Sequence, residues 1–183
     1  MRGVLLYGPP AAGKDTITRA LCELDSAYRL FQRLKSGPGR TAGYRMTGMR
    51  EVERLRAEGE VVWENHRYGA VYVIDRPTLC VDLTRHVPVL HLGQVEAVQA
   101  VKSAVPEAPW LTVYLWCPRE VAEDRILARA TGDTADRLEA WDRTPPLTGA
   151  DLAIDTATVA PDEAARQVHE RLTQLTGCVP PDA

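Results

Sequence analysis

The hydrophobic positions of this chain fall into short, nearly unbroken runs separated by stretches with helical spacing. Residues 4–7 (VLLY), 87–92 (VPVLHL) and 110–116 (WLTVYLW) are almost wholly apolar. Apolar runs of this length, bounded by Gly or Pro, predict strands buried on both faces. Pro88 stands near the start of its run, where a missing N–H is tolerated. Ile17, Ala20, Leu21 and Leu24 predict the inner face of a helix beginning at Thr16. Val95, Val98 and Val101 predict another, and Val121, Ile126 and Leu127 a third over about residues 119–130. Ala164, Val168, Leu172 and Leu175 give the last helix its apolar face, with Pro161 in the favoured first turn. Residues 151–154 (DLAI) predict a short strand, residues 71–74 (VYVI) fit either a strand or a helix start, and the tail from Gly177 is expected to fray. Strand and helix alternate almost throughout, so the expected fold is α/β with a parallel sheet flanked by helices.

One segment breaks this rhythm. Residues 33–40 (RLKSGPGR) read as a basic loop, and residues 51–58 as a short charged helix. The segment from about 31 to 70 is expected to be an insertion in a single domain whose core spans about 1–30 and 71–176. Asp75, followed by Arg76-Pro77, is placed to cap the next helix.

The first apolar run leads directly into Gly8-Pro9-Pro10-Ala11-Ala12-Gly13-Lys14-Asp15-Thr16. Strand, G-x-x-x-x-G-K and helix in that order are the signature of a phosphate-binding loop. Its successive N–H groups wrap a chain of phosphates, so Gly8 and Gly13 must take conformations that a Cβ penalises. The following helix points its positive end at the same phosphates. Lys14 supplies a mobile charge for the β- and γ-phosphates. The expected ATP-binding set is therefore Gly8, Pro9, Ala11, Ala12, Gly13, Lys14, Asp15 and Thr16. The usual motif ends in Ser or Thr, which holds magnesium; here Asp15 takes that place. Asp15 can bind the metal, hold a metal-bound water, or turn away and leave Thr16 to serve, since magnesium accepts either oxygen.

Arg125 and Arg129 lie one turn apart on one predicted helix face, and Arg137 follows after an interruption at residues 131–134. Guanidiniums over a transferring phosphoryl group neutralise its oxygens. Lys14, Arg125, Arg129 and Arg137 are therefore the catalytic candidates. For a phosphorylated acceptor, Arg33, Lys35, Arg40, Tyr44 and Tyr68 offer cations and hydroxyl donors, with Arg45 nearby. Glu64, with Asn65 and His66, offers groups for a base edge or sugar hydroxyls.

Composition narrows the partners. The 183 residues suit one domain, and 45% hydrophobic with 26% charged residues is ordinary for a globular chain. A net charge of −3 gives no bulk case for nucleic acid. The four cysteines are scattered and read as buried, reduced thiols. The first apolar run is too short for a signal peptide, and no run approaches a membrane span. A cytoplasmic protein, monomer or homodimer, with a small-molecule partner is expected.

Together these residues resemble the guanylate kinase family of nucleoside monophosphate kinases. That family has an opening G-P-x-x-x-G-K loop, an acceptor-binding part with a Tyr, then G-E-φ-φ-x-W and Y-G, and a lid helix with R-x-x-x-R before R-L. This chain shows residues 8–16, Tyr44, Gly59-Glu60-Val61-Val62-Trp63-Glu64, Tyr68-Gly69, Arg125 with Arg129, and Arg137-Leu138 in that order. The resemblance implies a P-loop kinase fold, a short lid over about 125–140, and magnesium-dependent transfer of the γ-phosphoryl group of ATP to a nucleoside monophosphate. The acceptor side departs from the family. Its [ST]-x-R-x-x-R phosphate signature is not intact, its D-x-D is replaced at His91-Leu92-Gly93, and Glu64 follows Trp63 rather than preceding it. The G-K-D-T loop and the φ-φ-x-x-G strand end are similar to the ribose 1,5-bisphosphate phosphokinases, which share the guanylate kinase fold. In that arrangement Asp15 replaces the carboxylate missing at the strand end. G-K-D-T also occurs in some deoxynucleotide monophosphate kinases. A phosphotransferase for a specialised metabolite, and a non-catalytic guanylate-kinase-like module that binds a phosphorylated ligand, are the other readings.

Overall fold

The computed structural model describes residues 1–67, 69–129 and 132–177. Strand β1 (Gly3–Tyr7) runs into the phosphate loop and helix α1 (Lys14–Leu24). Strands β2 (Tyr28–Leu30), β3 (Leu34–Ser36) and β4 (Arg45–Met46) follow, then helix α2 (Met49–Ala57). The chain continues through β5 (Val61–Arg67), β6 (Ala70–Asp75), α3 (Arg76–Arg85), β7 (Val87–Leu92) and α4 (Val95–Ala104). It ends with β8 (Trp110–Trp116), α5 (Arg119–Arg129), α6 (Thr134–Asp142), β9 (Leu152–Asp155) and α7 (Pro161–Gly177).

Five strands form one all-parallel sheet in the order β2-β7-β1-β8-β9. The strand that feeds the phosphate loop is central, so the apolar run at residues 4–7 is buried on both faces. Val4 and Leu6 pack with Ile17 and Leu21 of α1 and with Val168 and Leu172 of α7. Leu5 and Tyr7 pack on the opposite face, with Leu79 and Leu83 of α3 and Val98 and Val101 of α4. Fully burying one such leucine contributes about 1.5–3 kcal/mol. The undecided run at residues 71–74 is part of β6, and Asp75 caps α3 by accepting from the Thr78 N–H at 3.2 Å.

A second sheet has the order β4-β3-β6-β5. Leu34, Val71 and Val73 on one of its faces pack against Val52 and Leu55 of α2. This sheet runs on to Asp75, so β6 returns the chain to the main body through α3. The basic stretch at 33–40 is not all loop, because β3 pairs with both β4 and β6.

Some local expectations shift. Helix α1 starts at Lys14, ahead of Thr16, because the loop's last turn is already helical. Leu24 and Leu127 are exposed, each at the outer limit of its apolar stripe. Cys117 is buried and Cys22 half-buried, but Cys80 is exposed; Cys178 and the tail beyond Gly177 lie outside the described residues. Among the described residues, no helix is long and apolar enough to cross a membrane.

Candidate functional site

The carboxyl ends of β1 and β7 and the cavity-facing side of the smaller sheet enclose one cavity of about 740 Å³. The phosphate loop forms its floor, with Gly8, Ala11, Ala12, Gly13, Lys14 and Asp15 all lining it. Gly13 has φ +87° and Ala11 φ +62°, left-handed values that turn successive N–H groups the same way. A Cβ on Gly8 would meet the Leu115 carbonyl oxygen at 2.2 Å, so the loop can leave the sheet there only as glycine.

Lys14 folds back onto its own loop and donates to the carbonyls of Gly8 and Pro9 at 2.6 and 2.7 Å. Burial pushes its ammonium down to about 7, and Arg33, Arg129 and Arg67 push the same way, while Asp15 opposes them. A polyanionic ligand would relieve that penalty. Asp15 also lines the cavity, with Arg40 at 3.7 Å and His91 Nδ1 at 3.6 Å from its carboxylate. His91 is half-buried, and its desolvation with the Lys14 charge holds its pKa far below the usual imidazole value.

The opposite wall comes from the smaller sheet. The register sets Lys35 of β3 and Asn65 of β5 on either side of Tyr72 of β6, and all three line the cavity. Lys35 is buried, donates to the Arg40 carbonyl at 2.7 Å, and has its pKa lowered by burial. The Tyr44 and Tyr72 rings lie 5.3 Å apart, and the Arg33 and Lys35 cations stand over both at 5.4–5.8 Å. Arg40, Arg67, Arg129 and Arg137 complete the cationic lining, and Arg137 pairs with Asp133 at 2.7 Å. Among the described residues that makes seven Lys and Arg side chains against the two carboxylates Asp15 and Asp133.

Several predicted residues do not reach this cavity. Glu64 points away and accepts from two of the three guanidinium nitrogens of Arg56, each at 2.9 Å. Side chains of a strand alternate between faces, so Asn65 and Arg67 share the cavity side, whereas Glu64 and His66 share the other. Arg67 and Tyr72 were not singled out from the sequence; that alternation, applied to a known register, would have found both. Thr16 lines a different, smaller cavity of about 380 Å³, together with Ala11, Ile17, Arg125, Arg129, Val159 and Pro161. Arg125 does not extend over the large cavity. It donates to the Ala11 carbonyl at 3.2 Å and to the Thr156 hydroxyl and carbonyl at 3.0 and 2.7 Å, which ties α5 to the loop and to the turn after β9. Tyr68 lies outside the described residues.

Magnesium usually binds proteins through one or two carboxylates and takes its remaining ligands from phosphates and water. Asp15, lining the loop end of the cavity beside Lys14, fits that pattern. No group of three or more His, Cys, Asp or Glu able to hold a metal by itself occurs among the described residues.

A parallel five-stranded sheet with a glycine-rich loop after its central strand is consistent with a P-loop kinase fold. No family model and no curated protein matches the sequence. Among solved structures, the chain is similar to guanylate kinase from Anaplasma phagocytophilum, with a TM-score of 0.61 and 16% identity over 94% of this chain and 85% of that one. It is also similar to the protein APE1195, with a TM-score of 0.59 and 17% identity over 97% of each chain. The fold is thus guanylate kinase-like.

Proposed function

We propose that this chain is an ATP-dependent phosphotransferase that passes the γ-phosphoryl group to a small phosphorylated acceptor. A nucleoside monophosphate is the acceptor that the family resemblance favours. The observation that carries the reading is a phosphate loop opening onto a cavity whose far wall is also cationic, through Arg33, Lys35, Arg40 and Arg67. One polyanion on the loop and a second opposite it is the geometry of phosphoryl transfer between two phosphorylated molecules.

In this reading the donor phosphates lie along the loop, with Lys14 exchanging its two carbonyl partners for phosphate oxygens. The smaller cavity, beside the same loop and bordered by Ile17, Val159 and Pro161, suits the donor's base and sugar. Arg125 holds that side of the loop in place. Arg129, which borders both cavities, and Arg137 supply charge over the transferring group. Asp15 would hold magnesium, which when bound neutralises charge on the β- and γ-phosphate oxygens. Thr16 is better placed for the donor side than for the metal. An acceptor phosphate is already an anion, so attack needs no dedicated base.

A second reading is favoured by one observation. Glu64 is engaged by Arg56, and Arg67 stands on the cavity side of β5. A cationic wall without that carboxylate suits a sugar bisphosphate as well as a nucleotide. The deciding experiment is ADP release from ATP and magnesium across GMP, dGMP, the other nucleoside monophosphates and ribose 1,5-bisphosphate. Turnover with GMP alone would remove the sugar-phosphate reading. Nucleotide binding with silence across the whole panel would replace both by a specialised acceptor or a non-catalytic binding module.

A further inference from the structure

At the carboxyl end of β7, His91 faces two residues of α1, Asp15 and Thr18, that lie three apart and therefore on one helix face. The Thr18 hydroxyl is 2.7 Å from His91 Nε2, and an Asp15 carboxylate oxygen is 3.6 Å from Nδ1. Thr18 is buried, and the imidazole is 14% exposed, so neither has ready access to bulk water as an alternative partner. The pairing of β1 with β7 sets His91 opposite Leu6, on the α1 side of the sheet and just before the phosphate loop.

We propose that His91 is a positioning residue for Asp15: Thr18 anchors the ring through Nε2, and the N–H on Nδ1 that faces Asp15 steers its carboxylate at the phosphate end of the cavity. The inference rests on the reading of Asp15 as the magnesium-facing group.

The chemistry of the three groups selects the tautomer. A neutral imidazole has one N–H and one bare nitrogen. The Asp15 carboxylate presents lone pairs only, so a bare Nδ1 facing it would set lone pair against lone pair. A hydroxyl can donate as readily as it accepts, so Thr18 adapts by donating to Nε2. At 3.6 Å the Nδ1–H contact is longer than a formed hydrogen bond. The other Asp15 oxygen meets Arg40 at a similarly loose 3.7 Å. The carboxylate is thus biased in direction but not locked, as suits a group that must tighten on a cation. Outer partners of this kind orient the groups that touch a metal.

Nitrogen-15 spectroscopy of the histidine side chains tests the inference on the protein alone. His91 should show the Nδ1–H tautomer; Thr18→Val should give a mixture, and Asp15→Asn should shift the Nδ1 resonance. Titration with a fluorescent ADP, with and without magnesium, gives the second readout. His91→Phe should raise the magnesium needed for half-maximal binding by about tenfold, with metal-free binding unchanged. His91→Asn keeps an N–H near the Nδ1 position and should stay within about twofold of the parent protein. An Nε2–H tautomer in the parent protein, or equal losses in the Phe and Asn variants, would overturn the proposal. If the tautomer and its response to Asp15→Asn are as expected but Asp15→Asn leaves the magnesium titration unmoved, the positioning stands and the metal role of Asp15 falls.

Discussion

Lys14 is bonded to two carbonyls of its own loop, a placement that costs charge stability through burial. On the proposed function, phosphate oxygens offer the same donors a better partner. Lys14→Ala is expected to lower ADP release by about a hundred- to a thousandfold, with the far-ultraviolet circular dichroism spectrum unchanged. Asp75 illustrates a different residue-scale logic. It is buried, caps α3 and forms an ion pair with Arg45, so removing it leaves a cap unmade and a guanidinium unpaired. Asp75→Ala should cost about 3 kcal/mol in urea unfolding; an effect below 1 kcal/mol would mean that water replaces both partners. The cap was readable from the sequence because capping is local, an Asp directly before Arg-Pro. The fate of Glu64 was not, because whether a strand residue faces a cavity depends on register with β6, and register is set by pairing across the sheet.

At the scale of elements, α5 and the phosphate loop are joined through Arg125. Its guanidinium makes three hydrogen bonds to Ala11 and Thr156. With each worth about 1 kcal/mol net, Arg125→Ala should raise the KM for ATP by about a hundredfold and leave the acceptor KM unchanged. Arg129→Ala should instead lower kcat, because Arg129 reaches the large cavity whereas Arg125 is held at the loop. Initial-rate kinetics with each substrate varied in turn separate the two, and equal effects would return Arg125 to the catalytic group. The strands that carry this arrangement were legible as apolar runs: β7 and β8 match the runs at 87–92 and 110–116. The run at 71–74 was ambiguous because four apolar residues fit either period. Only its pairing with β3 and β5 made it a strand.

At the scale of the molecule, two sheets face one cavity, and ligand that bridges them ties loop, α5 and the smaller sheet together. Binding to the folded state alone stabilises by mass action. ADP with magnesium at about a hundred times its Kd should therefore raise Tm by about 5–10 °C, and the Lys14→Ala variant should show almost none of that shift in differential scanning calorimetry. By itself, the sequence determined the α/β class, the strand at residues 4–7 and the glycine–lysine loop that follows it. Each of these is written in short-range signals: a run of four apolar residues, two glycines and a lysine at fixed spacing, a helix period. Only the tertiary structure decided that Arg67 and Tyr72 join the residues facing the large cavity. Lys35, Tyr72 and Asn65 come from three strands and meet in one row through hydrogen-bonded register. Asp15, Thr18 and His91 meet because a helix and a strand 73 residues apart pack side by side. Such juxtapositions arise from packing between elements, and local sequence periodicity does not record them.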